Sequence, residues 1–279
     1  MSVESTVATE RVLTAAEFAW LTDFLRGRTG IELKPGKEPM VMGRLDRRLR
    51  HHDLPTYTKY FQLLADGDPL ETQLAVDLLT TNETYFFREP KHFDFLREVY
   101  SAMPRRPQPV RIWSAASSTG EEAYTVAMTL ADCLPAGQAF ELLGTDISSR
   151  VLETARRAMY PIEAAEKIPA RFLREYCLRG RDEFEGFLAI DRRLRERVTF
   201  LEANLNDLRG DFGTFDVIFL RNVMIYFGQQ TKRDLVARAT GMLRPGGYLI
   251  ISHAETLNGI QGPLRLVRPS VYQLAAAGG

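Results

Sequence analysis

Cysteine is scarce. The 279 residues hold two, Cys133 and Cys177, far apart and in no metal or redox spacing. That excludes a disulfide scaffold and a thiolate metal site, and predicts two reduced thiols. Long apolar runs are lacking too. None approaches the ~20 residues a membrane span needs, so no direct membrane insertion is expected. The start, Met1 to Arg11, is polar and carries Glu4 and Glu10, with no apolar stretch behind a basic leader. No secretory signal is visible there, and a cytoplasmic location is expected. Finally, no charge sign dominates, because 36 basic residues meet 36 acidic ones. A balanced chain excludes a whole-protein electrostatic grip on nucleic acid. What remains is 45% hydrophobic and 26% charged, the composition of a globular protein with a core.

The chain has two textures. Up to about Tyr85 the pattern is helical only. Thr14 and Glu17 have capping-box spacing, Phe18, Leu21 and Leu25 share a face, and Gly27 and Gly30 end the run. A second helix is predicted over Glu38 to Arg50, with Met42, Leu45 and Leu49 on one face. A third follows Pro55 and carries Tyr57, Tyr60, Phe61 and Leu64. A fourth runs from about Leu70 to Leu79 with Leu70, Leu74 and Leu78 in line. From Val110, short apolar strands alternate with amphipathic helices, which implies crossover units and a parallel sheet. Strands are predicted at Val110 to Ala115, Phe140 to Thr145, Phe215 to Leu220 and Tyr248 to Ser252, the last introduced by Pro245-Gly246-Gly247. Helices are predicted at Glu121 to Cys133, Ser149 to Ala158 and Gln229 to Met242. Leu264 to Val267 and Val271 to Leu274 form an antiparallel hairpin. One region interrupts the alternation. After a helix over Pro169 to Cys177, Phe187 to Ile190 and Val198 to Leu201 read as strands of a small β insertion, about 180–199. The expected domains are 1–85, helical; 86–109, a linker and linking helix; and 110–279, the α/β domain.

The residues that carry chemistry begin with Trp113-Ser-Ala-Ala-Ser-Ser-Thr-Gly-Glu-Glu122, which follows a strand and opens a helix. Its small residues let backbone approach a ligand, and the helix start offers unpaired N–H groups. Asp146 follows 26 residues after Gly120, at the end of the next strand. An acid there accepts bonds from both hydroxyls of a ribose; Asp146 or Ser148 equally suits the N-cap of the helix starting near Ser149. There is no Gly-x-Gly-x-x-Gly fingerprint. Glu121 and Glu122 stand where a phosphate site needs N–H groups without negative charge, which favours a cationic ligand such as a sulfonium with an ammonium group.

Four segments together carry a specific likeness: Thr81-Asn-Glu-Thr-Tyr-Phe-Phe-Arg-Glu89, Trp113 to Glu122, Gly144-Thr-Asp-Ile147, and Leu220-Arg-Asn-Val-Met-Ile-Tyr-Phe227. In order and spacing the chain resembles a chemotaxis receptor methyltransferase of the CheR type over most of residues 14 to 275. Ala123 departs from the proline usual after the two glutamates, and the extreme N-terminus matches poorly. The resemblance implies a class I S-adenosylmethionine methyltransferase fold, doubly wound and mostly parallel with a C-terminal antiparallel hairpin. A small all-α domain precedes it, and it carries a small β insertion. The cofactor implied is S-adenosyl-L-methionine, with S-adenosyl-L-homocysteine as product, and no metal. The reaction implied is methylation of glutamate side chains on chemoreceptor cytoplasmic helices. A carboxylate, ionised at neutral pH, needs no general base to attack.

Carried over residue by residue, the resemblance assigns Asn82, Thr84 and Arg88 to the methionine end of the cofactor, with Arg88 pairing either that carboxylate or the incoming glutamate. Glu122 meets the cofactor's amino group, Asp146 the ribose, and Asn204 and Leu205 the adenine. Arg221 and Asn222 end a strand at the cleft, and Tyr226 faces the methyl group, with Arg88 as its catalytic partner. The competing roles are an interdomain salt bridge for Arg88 and core packing beside Ile225 and Phe227 for Tyr226.

On the second helix, Arg44, Arg47, Arg48 and His51 oppose the apolar face. They read as a solvated face or, by the resemblance, as a dock for an acidic receptor helix. Residues 1–85 hold 10 basic and 13 acidic residues, which argues against nucleic acid. In some family members the β insertion binds a receptor C-terminal peptide by strand addition. Nothing in the sequence demands more than a monomer. Two other readings stay open: a methyltransferase of the same fold with another protein or small molecule as substrate, and a non-catalytic module that senses the cofactor.

Overall fold

The computed structural model describes residues 11–208 and 210–276, so the polar start from Met1 to Glu10 lies outside the described residues. The chain divides into two compact units, 1–80 and 81–279. Among the described residues no helix is long and apolar enough to cross a membrane.

The first unit is helical: α1 (Ala15–Thr29), α2 (Glu38–His51), α3 (Tyr57–Ala65) and α4 (Pro69–Leu79). The capping box forms as the sequence predicts. The Thr14 hydroxyl accepts the Glu17 N–H, and the Glu17 carboxylate accepts the Thr14 N–H. α1 runs through Gly27 and stops at Gly30, which takes the left-handed conformation at φ 77°. The buried line of α2 is Val41, Leu45 and Leu49; Met42 is only half-buried. The expected face of α4 is turned outward. Leu70 is 78% and Leu74 42% exposed, while Glu71, Ala75 and Leu79 are buried. A polar network sets that rotation. Arg48 holds Glu71 through both carboxylate oxygens, with Nε to Oε1 at 2.9 Å; the Tyr60 hydroxyl donates to Oε1 at 2.6 Å, and His52 Nε2 lies 2.9 Å from Oε2. The same inward face buries Ala75, Val76 and Leu79, so the hydrogen-bonded carboxylate and this apolar set lie on one side.

The second unit opens with α5 (Lys91–Ser101), then β1 (Val110–Ala115), α6 (Glu121–Cys133), β2 (Phe140–Asp146) and α7 (Ser149–Arg157). β3 (Met159–Pro161), α8 (Ala170–Tyr176), β4 (Cys177–Arg179), β5 (Phe187–Ile190) and α9 (Arg192–Arg195) follow. The chain then builds β6 (Val198–Glu202), β7 (Phe215–Leu220), α10 (Gln229–Gly241), β8 (Leu243–Ile251), β9 (Leu264–Arg268) and β10 (Val271–Leu274). The main sheet has the order β6-β2-β1-β7-β8-β10-β9. β6 through β8 are parallel neighbours, and β10 is antiparallel to both β8 and β9. Strand order reverses between β1 and β7, the position where open sheets of this kind bind ligands at their carboxyl ends. The β7 strand is buried at every residue, as a central parallel strand must be.

Three expectations need correcting. Val198 to Leu201 does not belong to the insertion: β6 pairs with β2 as the edge of the main sheet. The small sheet is β3-β5-β4, whose outer strands of three residues each carry no legible periodicity. Pro245-Gly246-Gly247 lies inside β8, where a register shift against β7 absorbs it. Gly247 is needed there, because a Cβ would come within 2.9 Å of the Asp216 carbonyl oxygen. The stretch 86–109, expected as a linker and linking helix outside the α/β domain, does form the helix, α5, but is folded into the second unit, with Phe93 stacked on Phe219 and Phe95 edge-on to Tyr248.

Candidate active site

The carboxyl ends of β1, β2, β7 and β8 converge on one set of polar side chains. The turn after β1 holds three left-handed residues, Ala116, Ser118 and Gly120. Gly120, at φ 96°, is required twice over: a Cβ would also stand 2.9 Å from the Ala155 Cβ of α7. The turn is anchored by Asp146, which is only 6% exposed. Its Oδ2 accepts the Ser118 N–H at 2.9 Å and its Oδ1 the Ser148 N–H at 3.0 Å. These backbone bonds fix the carboxylate at the end of β2. Ser148 is the N-cap residue of α7 but makes no side-chain cap.

Glu122 lies in the first turn of α6. Its Oε1 accepts the Ser114 hydroxyl at 2.7 Å and its Oε2 accepts Arg221 Nη1 at 2.9 Å. Burial raises its carboxyl above the ordinary glutamate value, with Arg221 and Ser114 opposing. Arg221, at the end of β7, is enclosed, its side chain 1% exposed. Its Nη2 donates to the Arg88 carbonyl at 2.6 Å and lies 3.2 Å from Glu89 Oε2.

Glu89 was not anticipated as a site residue, although it closes a motif quoted above. Its Oε1 accepts the Ser252 hydroxyl at 2.7 Å and its Oε2 the His253 N–H at 3.2 Å. Burial would raise its carboxyl, but the Ser252 bond and the Arg221 charge outweigh that and hold it below the ordinary value. Glu255 was likewise missed. Its carboxylate accepts the N–H groups of Ser252, Asn222 and Met224 at 2.9–3.1 Å, and so shapes the turn that carries Asn222 and Tyr226. No sequence signal marked it.

Asn222 takes the left-handed conformation at φ 57° and its amide donates to the Ser252 hydroxyl at 2.8 Å. Tyr226 ends a short 3-10 turn and is half-buried, between exposed Ile225 and buried Phe227. Arg88 folds back on its own segment: Nη1 donates to the Glu83 carbonyl at 2.7 Å and the guanidinium lies 5.6 Å from the centre of the Tyr85 ring. The Asn82 carbonyl accepts the Ser118 hydroxyl at 2.9 Å, and Thr84 is half-buried. Asn204 accepts the Asn206 N–H at 2.9 Å just beyond β6; Leu205 beside it is buried.

The described residues also bring ligand atoms of Glu89, His92 and His253 within 4.8 Å of one another. Arg221 beside Glu89 opposes a cation there, and both oxygens of that carboxylate already accept bonds. The histidines converge on Ser270 Oγ, at 2.6 Å from His92 Nε2 and 2.9 Å from His253 Nδ1. Burial and the Arg221 charge push His92 down to about 3, so it is neutral at physiological pH. The cluster is a hydrogen-bond network behind the site.

In the first unit, two of the three expected docking arginines are committed internally. Arg48 holds Glu71, and Arg44 Nη1 caps the end of α4 by donating to the carbonyls of Leu78, Leu79 and Thr80 at 2.9–3.2 Å. Arg47 is exposed.

Residues 82–272 match the CheR methyltransferase SAM-binding domain, and residues 16–80 the CheR methyltransferase all-alpha domain. The chain is 39% identical over 266 residues to chemotaxis protein methyltransferase 2 of Pseudomonas aeruginosa, covering 94% of each chain. It is 38% identical over 273 residues to the chemotaxis protein methyltransferase of Escherichia coli, covering 96% of this chain and 94% of that one. The chemotaxis protein methyltransferase of Salmonella typhimurium is 37% identical over 266 residues, with 94% and 91% covered. The residues at the carboxyl ends suit a cationic donor chemically, since the carboxylates of Glu89, Glu122 and Asp146 outnumber the Arg221 guanidinium among them. This chain belongs to the CheR methyltransferase family and is an S-adenosylmethionine-dependent methyltransferase.

Proposed function

We propose that the protein methylates glutamate side chains on the cytoplasmic helices of chemoreceptors, forming glutamyl methyl esters. It acts as a monomer in the cytoplasm. The observation that carries the reading is the match of more than nine-tenths of the chain to proteins named chemotaxis protein methyltransferases. S-adenosyl-L-methionine supplies an electrophilic methyl group on a sulfonium, and leaves as S-adenosyl-L-homocysteine.

In this reading, the chain's residues bind and orient. Glu122 takes the donor's ammonium, and Asp146 its ribose hydroxyls. Asn204 and Leu205 meet the adenine. Asn82, Thr84 and Arg88 line the methionine end, with Arg221 and Asn222 closing the cleft floor. Tyr226 and Arg88 align the incoming glutamate. No base is required, so the rate comes from alignment and from removing water from the carboxylate. The intact set of Arg88, Glu122, Asp146, Asn222 and Tyr226 supports catalysis over a merely sensing module.

Docking of the acidic receptor helix is proposed for the exposed basic side of α2, now centred on Arg47 with His51 beside it. A receptor C-terminal peptide is proposed to add to β4, an outer strand of the small sheet whose Leu178 is 56% exposed.

The test uses donor tritiated in its methyl group, receptor-bearing membranes and mild base. Label on the receptor released as volatile methanol is the expected result. Label that survives base would assign a nitrogen or sulfur acceptor and refute the proposal.

A further inference from the structure

Arg221 is shared by two carboxylates from opposite ends of the site. Nη1 faces Glu122 at 2.9 Å, and Nη2 faces Glu89 at 3.2 Å. Two carboxylates against one guanidinium leave a single negative charge on a cluster whose side chains are no more than 17% exposed. Such an excess is costly without a further cation.

The two carboxylates differ in what they still need. Glu89 is surrounded by donors: the Ser252 hydroxyl, the His253 N–H and Arg221. Glu122 has only the Ser114 hydroxyl and half of Arg221. Their carboxyls accordingly shift in opposite directions: burial raises that of Glu122, whereas at Glu89 the Ser252 bond and the Arg221 charge outweigh burial and lower it. The backbone is bent to present Glu89. Phe87 and Glu89 both take left-handed φ, 56° and 57°, a conformation non-glycine residues accept only when the surroundings impose it.

We infer that Glu89 is a positioning residue for the donor's amino group: by holding one side of Arg221 it prevents full neutralisation of Glu122, and so leaves the cluster's unpaired negative charge where the ammonium binds. The inference rests on the reading of Glu122 as the ammonium ligand. Without the Glu89 charge, Nη2 keeps its bond to the Arg88 carbonyl, but the Arg221 charge falls wholly on Glu122 and competes with the ammonium.

The experiment titrates two probes into the full chain. S-adenosyl-L-homocysteine has the amino-acid end; 5′-methylthioadenosine lacks it. Wild type is expected to prefer the former. Glu89→Gln, isosteric and neutral, is expected to weaken S-adenosyl-L-homocysteine ~10-fold, as for loss of one charge-assisted bond. The same variant should leave 5′-methylthioadenosine within ~2-fold, below the ~0.5 kcal/mol of an ordinary distant substitution. Equal weakening of both probes would reduce Glu89 to a structural role, and no change in either would overturn the inference outright. Glu122→Gln distinguishes the underlying reading. If it leaves wild-type preference intact, Glu122 is not the ammonium ligand; if it removes the preference while Glu89→Gln does nothing, only the present inference falls. Should Glu89→Gln not fold, Glu89→Asp, which retracts the carboxylate by one methylene, carries the same selective comparison.

Discussion

Glu122, proposed above to take the donor's ammonium, is the residue on which the reading can be probed most finely. It sits in the first turn of α6, bonded to Ser114 and Arg221, in surroundings that raise its carboxyl. Replacing it with glutamine is predicted to weaken donor binding by ~10–100-fold, the worth of one or more hydrogen bonds to a charged group. The pH dependence follows from the direction of the shift. A raised carboxyl takes its proton earlier as pH falls, so donor affinity should decline before the ordinary glutamate range near 4.5 is reached. Glu122→Gln should remove that decline; titrations of both proteins across the acidic range provide the check. Glu122 and Asp146 stood out in the sequence because one lies in the helix that opens after a strand and the other ends the next strand. Glu89 and Glu255 did not, since their importance comes from long-range bonds: Glu89 to Ser252, and Glu255 to the turn at Asn222. No local pattern announces such partners.

At the scale of elements, strands buried on both faces were read with the best boundaries. Val110–Ala115 and Phe215–Leu220 fall where their continuous apolar runs lie. Helix α4 was recognised, but its facing was inverted. The apolar line Leu70-Leu74-Leu78 obeys helical spacing, yet the pull of Arg48, Tyr60 and His52 on Glu71 decides which side is buried. Arg48→Ala, which leaves that carboxylate buried without its cation, is predicted to destabilise the helical unit by ~3–5 kcal/mol. Calorimetric unfolding of the full chain would measure it. Glu71 also gives an acid limit. Burial alone would raise its carboxyl, but the bonds from Arg48, Tyr60 and His52 bring it down to about 2 from the ordinary 4.5. Its contribution is complete above about 4.5 and is lost as pH falls towards 2. Glu71→Gln should flatten the acid denaturation curve over that window. A comparable backbone test is Gly120→Ala, which meets both a left-handed φ and the Ala155 side chain and should cost at least ~1–3 kcal/mol.

For the molecule as a whole, the balanced charge places any electrostatic recognition in local patches. Arg47→Glu is predicted to raise the KM for receptor while leaving donor affinity and thermal stability unchanged, because Arg47 is exposed whereas Arg44 and Arg48 hold the helical unit together. A triple reversal of Arg44, Arg47 and Arg48 would instead report unfolding. The central claim concerns the carboxyl ends of the sheet, where β1, β2, β7 and β8 deliver Glu122, Asp146, Arg221 and Ser252 to one place. It is tested most directly by equilibrium titration of S-adenosyl-L-methionine into the wild-type chain and Asp146→Asn, with circular dichroism showing both folded. The account predicts at least ~10-fold weaker binding to the variant, from the lost charge-assisted bonds to the ribose. Unchanged affinity in a folded variant would contradict it.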